Sequence, residues 1–248
     1  MKIIKAILKT IVVLILFLIV VSVALEIFHK KLFVEKMGIE QLYTHGIAVD
    51  ERGYVYVIDG KYHRLQIYDD KGRLIKIVGS PESISGELDS SKSEYGSNLD
   101  GEFYCPMSIA IDKAGNLYIS DLSPRIQKFD SKGNYLVKWG KAGTKLGEFA
   151  RPEGVALDSK ENVNVCDSNN NRIQTFDADG KFIAQWNLSS LKPNSSYSPS
   201  PSEIAIDKND NLYVIYETSC VRKYNKQGKF ITQWGEKGKK DGDLDYPH

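Results

Sequence analysis

Residues 154–187 read GVALDSKENVNVCDSNNNRIQTFDADGKFIAQWN, and the same pattern is written three more times. Residues 46–79 read GIAVDERGYVYVIDGKYHRLQIYDDKGRLIKIVG, residues 108–140 read SIAIDKAGNLYISDLSPRIQKFDSKGNYLVKWG, and residues 203–235 read EIAIDKNDNLYVIYETSCVRKYNKQGKFITQWG. The carboxylate ending the first apolar run is Asp50, Asp112, Asp158 or Asp207, so the units recur at intervals of 62, 46 and 49 residues. Recurrence at such a period marks a solenoid, a propeller or an array. The longer first interval holds residues 80–100, rich in Ser, Glu and Gly, which read as a surface loop.

Inside each unit the apolar period is two. In the first, Ile47 and Val49, then Val55 and Val57, then Leu65 and Ile67, then Leu74, Ile75 and Ile77 form four short runs. Asp-Glu-Arg-Gly (50–53) and Asp-Asp-Lys-Gly (69–72) separate them, and both are turn chemistry. The turns recur at 112–115, 130–133, 177–180 and 225–228. Four short antiparallel strands per unit, repeated, make an all-β fold: a β-propeller of four-stranded blades.

The motif is an apolar strand ending in Asp, then Gly-Asn-hydrophobic-Tyr-hydrophobic, then Asp followed by Asn-x-Arg-Ile-Gln, then Asp-x-x-Gly. It resembles the NHL repeat, a propeller family. Residues 154–187 carry it best, through Asp167-Ser168-Asn169-Asn170-Asn171-Arg172-Ile173-Gln174, and residues 203–235 depart, with Tyr216 in place of the Asp and Cys220 in place of the Arg. The resemblance covers about residues 46–248. It implies a scaffold rather than an activity, because fold does not imply function. NHL propellers commonly close with six blades, whereas His248 falls in the column of His45, where a fifth unit would begin. The expectation is four blades of an incomplete five- or six-bladed ring, with closure of a four-bladed ring through the last segment as the alternative.

Thr10 to Leu25 is 16 residues without a charge, flanked by Lys2, Lys5 and Lys9 on one side and Glu26, His29, Lys30 and Lys31 on the other. At 1.5 Å per residue it is roughly 24 Å long, and snorkelling lysines extend its reach. It reads as a single transmembrane signal anchor over 1–28. The rival is a signal peptide cleaved after Ser22-Val23-Ala24. A stalk over 29–41 and the propeller over 42–248 complete the expected organisation, a single-pass membrane protein with its propeller outside the cytoplasm. Asn187-Leu-Ser189 and Asn194-Ser-Ser196 are glycosylation acceptors that fit this placement. Three cysteines, Cys105, Cys166 and Cys220, do not make a disulfide framework, although a Cys105–Cys220 pairing stays open.

Three sets of residues bear on function. The pairs Asp59 with Arg64, Asp121 with Arg125, and Asp167 with Arg172 bracket hairpins and read as structural braces. Trp139, Trp186 and Trp234 repeat on the last strand and read as packing between blades. His45, Met107, Glu153 and Ser202, just before each first strand, vary while their neighbours do not. The innermost strand of a propeller lines its channel, so this column is the candidate for ligand contact. No nucleophile motif, phosphate loop or metal-ligand spacing is present, and no cofactor or metal is expected. Zinc-dependent amidating lyases of the NHL type hold their metal with several histidines, and this chain has four in all. Thirty-three basic against 32 acidic residues argue against a nucleic-acid surface. The expected function is a module binding a protein or a small ligand on the propeller face, with a metal-dependent lyase or lactonase acting in the channel as the alternative.

Overall fold

The computed structural model describes residues 44–79, 99–188, 200–216, 220–236 and 238–244. Sixteen strands among them form four sheets. The first holds β1 (Thr44–Val49), β2 (Val55–Asp59), β3 (Arg64–Tyr68) and β4 (Leu74–Gly79). The second holds β5 (Pro106–Ile111), β6 (Leu117–Asp121), β7 (Arg125–Phe129) and β8 (Tyr135–Trp139). The third holds β9 (Pro152–Leu157), β10 (Val163–Asp167), β11 (Arg172–Phe176) and β12 (Phe182–Asn187). The fourth holds β13 (Pro201–Ile206), β14 (Leu212–Tyr216), β15 (Cys220–Tyr224) and β16 (Phe230–Trp234). Each sheet is an antiparallel meander in chain order, as the period-two runs and turns predict.

The turn carboxylates explain why the strands end where they do. Asp158 Oδ1 accepts the amides of Lys160 and Asn162, both at 2.9 Å, and Asp207 Oδ1 accepts those of Asn209 and Asn211 at 2.8 and 3.0 Å. Each aspartate therefore satisfies the amides that the turn removes from the ladder. The left-handed turn position is Gly53 or Gly115 in the first two blades but Glu161 (φ 64°) and Asp210 (φ 61°) in the others. Their side chains reach the preceding blade: Glu161 Oε1 accepts the Lys113 amide at 2.9 Å, and Asp210 Oδ1 accepts the Ser159 amide at 2.8 Å. The strained backbone is thus offset by bonds between blades.

Apolar faces of successive sheets pack on one another. Tyr56, Ile58 and Leu65 meet Ile109 and Ile119; Tyr118 and Ile126 meet Val155 and Val165; Cys166 and Ile173 meet Ile204 and Val214. The rims are joined by a recurring clasp. The last strand of one blade lays Val78, Trp139 or Trp186 over the turn glycine of the next: Gly133, Gly180 or Gly228. A Cβ there would lie 2.7 Å from Val78, 2.5 Å from the Trp139 ring or 2.4 Å from the Trp186 ring, and each glycine has positive φ. Shape and backbone conformation both demand glycine. Trp139 and Trp186 thus pack between blades, and Trp234, on the last described strand, has no such seat among the described residues and is 46% exposed. On the first sheet, the face turned away from the second exposes Ile47 (65%), Val49 (59%) and Ile77 (45%).

Each Asp/Arg pair closes into an ion pair. Arg64 Nε lies 2.8 Å from Asp59, Arg125 Nη2 3.2 Å from Asp121, and Arg172 Nε 2.8 Å from Asp167. A glutamine two residues after each arginine donates to the same carboxylate, at 3.2 Å from Gln66, 3.4 Å from Gln127 and 3.2 Å from Gln174. Arg172 goes on to donate to the carbonyls of Thr144, Lys145 and Glu148, tying down the chain that leads into its blade. In the fourth blade the Tyr216 hydroxyl meets that of Tyr224 at 2.8 Å, and the Arg222 guanidinium stacks 4.4 Å from the Tyr216 ring centroid. An aromatic–cation contact replaces the carboxylate brace there.

Residues 1–43, on which the expected anchor and the whole of the stalk fall, lie outside the described residues, as do residues 80–98, 189–199, 217–219, 237 and 245–248. Among the described residues no helix is long and apolar enough to cross a membrane. All three cysteines are free thiols, so the Cys105–Cys220 pairing is absent.

Two substitutions test the packing. Replacing Trp139 with Ala should cost about 2 kcal/mol, below the ~3–5 typical of a fully buried Trp because its ring is only partly buried. Replacing Trp234 with Ala should cost under about 1 kcal/mol. Urea denaturation followed by circular dichroism measures both, and equal losses would refute the clasp. Asp167→Ala strands the buried Arg172 guanidinium and should cost about 3–5 kcal/mol in the same assay.

Candidate functional site

The inner strands β1, β5, β9 and β13 stand side by side in that order. Each carries a bulge or register shift near its start, between Thr44 and Gly46, Pro106 and Ile109, opposite Val165 and Asp167, and between Pro201 and Glu203. Such bulges re-aim side chains next to functional sites. Just inside the bulge lies one residue per blade: Gly46, Ser108, Gly154 and Glu203. The first three are small because the next strand leaves no room. A Cβ on Gly46 would come 3.3 Å from the Ser108 Cα, and one on Gly154 would come 2.8 Å from the Glu203 Cα. The fourth member breaks the series with a carboxylate.

Glu203 lines a cavity of about 460 Å³. Its walls are apolar, with Ile47, Ile109, Val155, Ile204 and Ile215 among them. The volume lies in the range of small-molecule sites, and an apolar lining with few polar groups is their usual make-up. Among the described residues no basic side chain lies within ion-pair distance of Glu203. Burial and the nearby Glu153 charge push its carboxyl up to about 7, against the pull of the Ile204 amide. Neighbouring charged groups are spoken for. Glu153 is held by Arg151 Nε at 2.9 Å and by the Ser168 hydroxyl at 2.6 Å. Lys223 Nζ lies 2.6 Å from the Tyr213 hydroxyl and 3.7 Å from Asp207. Burial raises the Cys166 thiol well above its usual range, which keeps it inert.

The expected column sits one residue away from this cavity. Glu153 and Ser202 are buried, and the Ser202 hydroxyl reaches the Ile215 carbonyl only at 3.4 Å. Met107 is half-buried, and His45 lies in β1 with its side chain outside the described residues. None of the four is among the cavity-lining residues, although Glu153 acts on Glu203 through its charge. The residue that reasoning from sequence missed is Glu203, and its signal was the first letter of each repeat: Gly, Ser, Gly, Glu. The three Asp/Arg pairs stand apart as braces and supply no group to the cavity.

A second cleft, of about 400 Å³, runs between the turns of the first two blades past Asp50, Arg52, Asp112 and Lys113. Its carboxylates are committed. Asp50 accepts from Arg52 and the Tyr56 hydroxyl, and Asp112 from Asn116 and the Tyr118 hydroxyl. His63 is likewise structural: its Nδ1 accepts the Cys105 amide at 2.8 Å while its ring stacks on Tyr104. Among the described residues no three His, Cys, Asp or Glu side chains converge on a point where a metal ion would fit.

Comparison with known proteins agrees with this architecture. Residues 149–176 match the model of the NHL repeat. The chain is 28% identical over 143 residues to a probable peptidyl-alpha-hydroxyglycine alpha-amidating lyase of Caenorhabditis elegans, covering 55% of this chain and 37% of that protein. It is 27% identical over 115 residues to the protein brain tumor of Drosophila melanogaster, covering 45% of this chain and 11% of that one. Among solved structures, virginiamycin B lyase from Staphylococcus aureus superposes with a TM-score of 0.54 at 16% identity, over 79% of this chain and 56% of that one. A gluconolactonase from Xanthomonas campestris superposes with a TM-score of 0.53 at 15% identity, over 76% and 60%. At such identities these two likenesses bear on the fold alone, and the chain spans less than two thirds of all four proteins. The repeated four-stranded sheets, the Asp-Arg-Gln braces and the matched repeat together identify the chain as an NHL-repeat β-propeller protein.

Proposed function

We propose that this propeller is a binding module whose ligand seats in the cavity between the inner strands, against Glu203. One observation carries the reading: a carboxylate set in an apolar cavity without an ion-pair partner among the described residues. Folding alone gives no reason to keep such a group. An unpaired charge drawn partly out of water costs stability, and groups that cost stability collect at sites of function. Ile47, Ile109 and Val155 supply apolar contact, and Glu203 supplies one polar anchor. We further propose that the N-terminal segment, with its uncharged run from Thr10 to Leu25, holds the propeller to a membrane on the extracytoplasmic side.

The alternative, an enzyme acting in the same cavity, draws on the lyase and lactonase names among the similar proteins and on one property of Glu203. A carboxyl that titrates near 7 is matched to general acid or base work at neutral pH. A metal-dependent version would need a ligand set that the described residues do not bring together.

Binding is tested with 4-phenylbutan-1-ol, an uncharged molecule small enough for the cavity. It should bind the full chain in detergent at millimolar strength by ligand-observed NMR, and Ala205→Trp, which fills the cavity, should weaken it at least tenfold. No binding to the wild type of either this alcohol or its amine analogue, 4-phenylbutylamine, would overturn the reading. The strain at Glu203 is tested by pH. Its folded-state pKa is raised, so the folded state holds the proton more tightly than the unfolded one. Its contribution to stability is therefore full below about pH 4 and falls as the pH rises through about 7. Glu203→Gln should leave the melting temperature nearly unchanged at pH 5 and raise it by several degrees at pH 8. A variant less stable than wild type at pH 8 would mean that Glu203 is partnered. Anchoring predicts that the full chain, expressed in cells, stays with membranes through alkaline carbonate extraction, and release into the supernatant would exclude it.

A further inference from the structure

Glu203 and the cavity around it also specify what kind of molecule binds, and this inference rests on the binding-module reading above. The carboxylate stands on β13 next to Ile204, whose backbone amide is its one described hydrogen-bond donor. The cavity before it is walled by Ile47 from β1, Ile109 from β5, Val155 from β9 and Ile215 from β14. A neutral apolar ligand would fill the walls and bury the carboxylate without a partner. An anion would meet Glu203 and Glu153 together. A single cation on an apolar stem satisfies both halves. We infer that the site takes a primary ammonium group carried on an alkyl or arylalkyl chain, with the ammonium against Glu203 and the chain along the isoleucines.

Other charged groups near Glu203 do not compete for this place. On β9, Glu153 is held by Arg151 and Ser168. On β10, Asp167 is held by Arg172, and Cys166 is a buried neutral thiol. On β15, Lys223 is turned to Tyr213 and Asp207. On β1, the His45 side chain lies outside the described residues. A site built around one carboxylate rejects the isostere that lacks the matching charge, because binding that isostere would leave the carboxylate unpaired.

The test pairs 4-phenylbutylamine with 4-phenylbutan-1-ol, which differ only in the terminal group. At pH 8 the amine should bind the full chain in detergent at least tenfold more tightly than the alcohol. On going from pH 8 to pH 6 its affinity should fall about tenfold, as Glu203 takes up its proton while the amine stays charged, and that of the alcohol should not follow. Glu203→Gln should bring the amine down to the level of the alcohol and remove the pH step. Nα-acetyl-lysine methylamide, run in parallel, separates the two sources of such a group. Tighter binding than 4-phenylbutylamine points to a peptide lysine, and weaker binding to a free amine. Equal binding of amine and alcohol, or an amine affinity unmoved by Glu203→Gln, overturns the inference while leaving the binding reading intact. Failure of both probes to bind the wild type removes the reading itself.

Discussion

The architecture depends on how closely the inner strands approach. Gly46, Ser108 and Gly154 leave the space that the neighbouring backbone occupies, with a Cβ on Gly154 falling 2.8 Å from the Glu203 Cα. Close approach at the centre sets the pivot about which the blades fan out. It brings the inner apolar residues near enough to wall a cavity and holds the outer strands where Trp139 and Trp186 can rest on the next blade's turn. Small residues at this column are a packing requirement of the same kind as glycine wherever two backbones meet. Glu203 stands in the same column, and its side chain lines the cavity.

The molecule treats its buried carboxylates in two opposite ways. Asp121 and Asp167 are fully buried, yet each is surrounded by an arginine, a glutamine and turn amides. Those bonds hold both carboxylates inside the fold, while burial still pushes Asp121 up to about 6. Glu203 receives one backbone amide and the repulsion of Glu153. The contrast separates structural charge from charge held in reserve. It rests on hydrogen-bond partners together with exposure, since Asp121 and Asp167 are fully buried and Glu203 is half-buried.

Much of this was legible in the residues, because the repeat constrains itself four times over. Turn aspartates, strand order, the Asp/Arg braces and two of the three tryptophan contacts all follow from register alone. Other features were not legible. The glutamine that completes each brace occupies an ordinary strand position, and nothing in its spacing marks it as a donor to the carboxylate. The column expected to contact a ligand, at His45, Met107, Glu153 and Ser202, stands one residue before the residues that line the cavity. A bulge shifts the side-chain alternation at that point, and a one-residue slip moves a side chain to the opposite face. Trp234 obeys the repeat in sequence but not in burial, since its packing needs a following turn glycine rather than anything in its own blade.

The clasp between blades has a direction. Its aromatic or aliphatic half always lies on the earlier blade and its glycine half on the later one. Each unit therefore carries one half of each kind, and contacts run only between neighbours. Excising the third unit whole would bring Trp139 against the Gly228 turn, a matched pair that already exists in kind. An array built this way grows or shrinks by duplication and loss of units without any interface being reinvented. Its units are free to diverge wherever they do not touch a neighbour. The fourth, with Glu203, Tyr216 and Cys220 in place of the common residues, has used that freedom most.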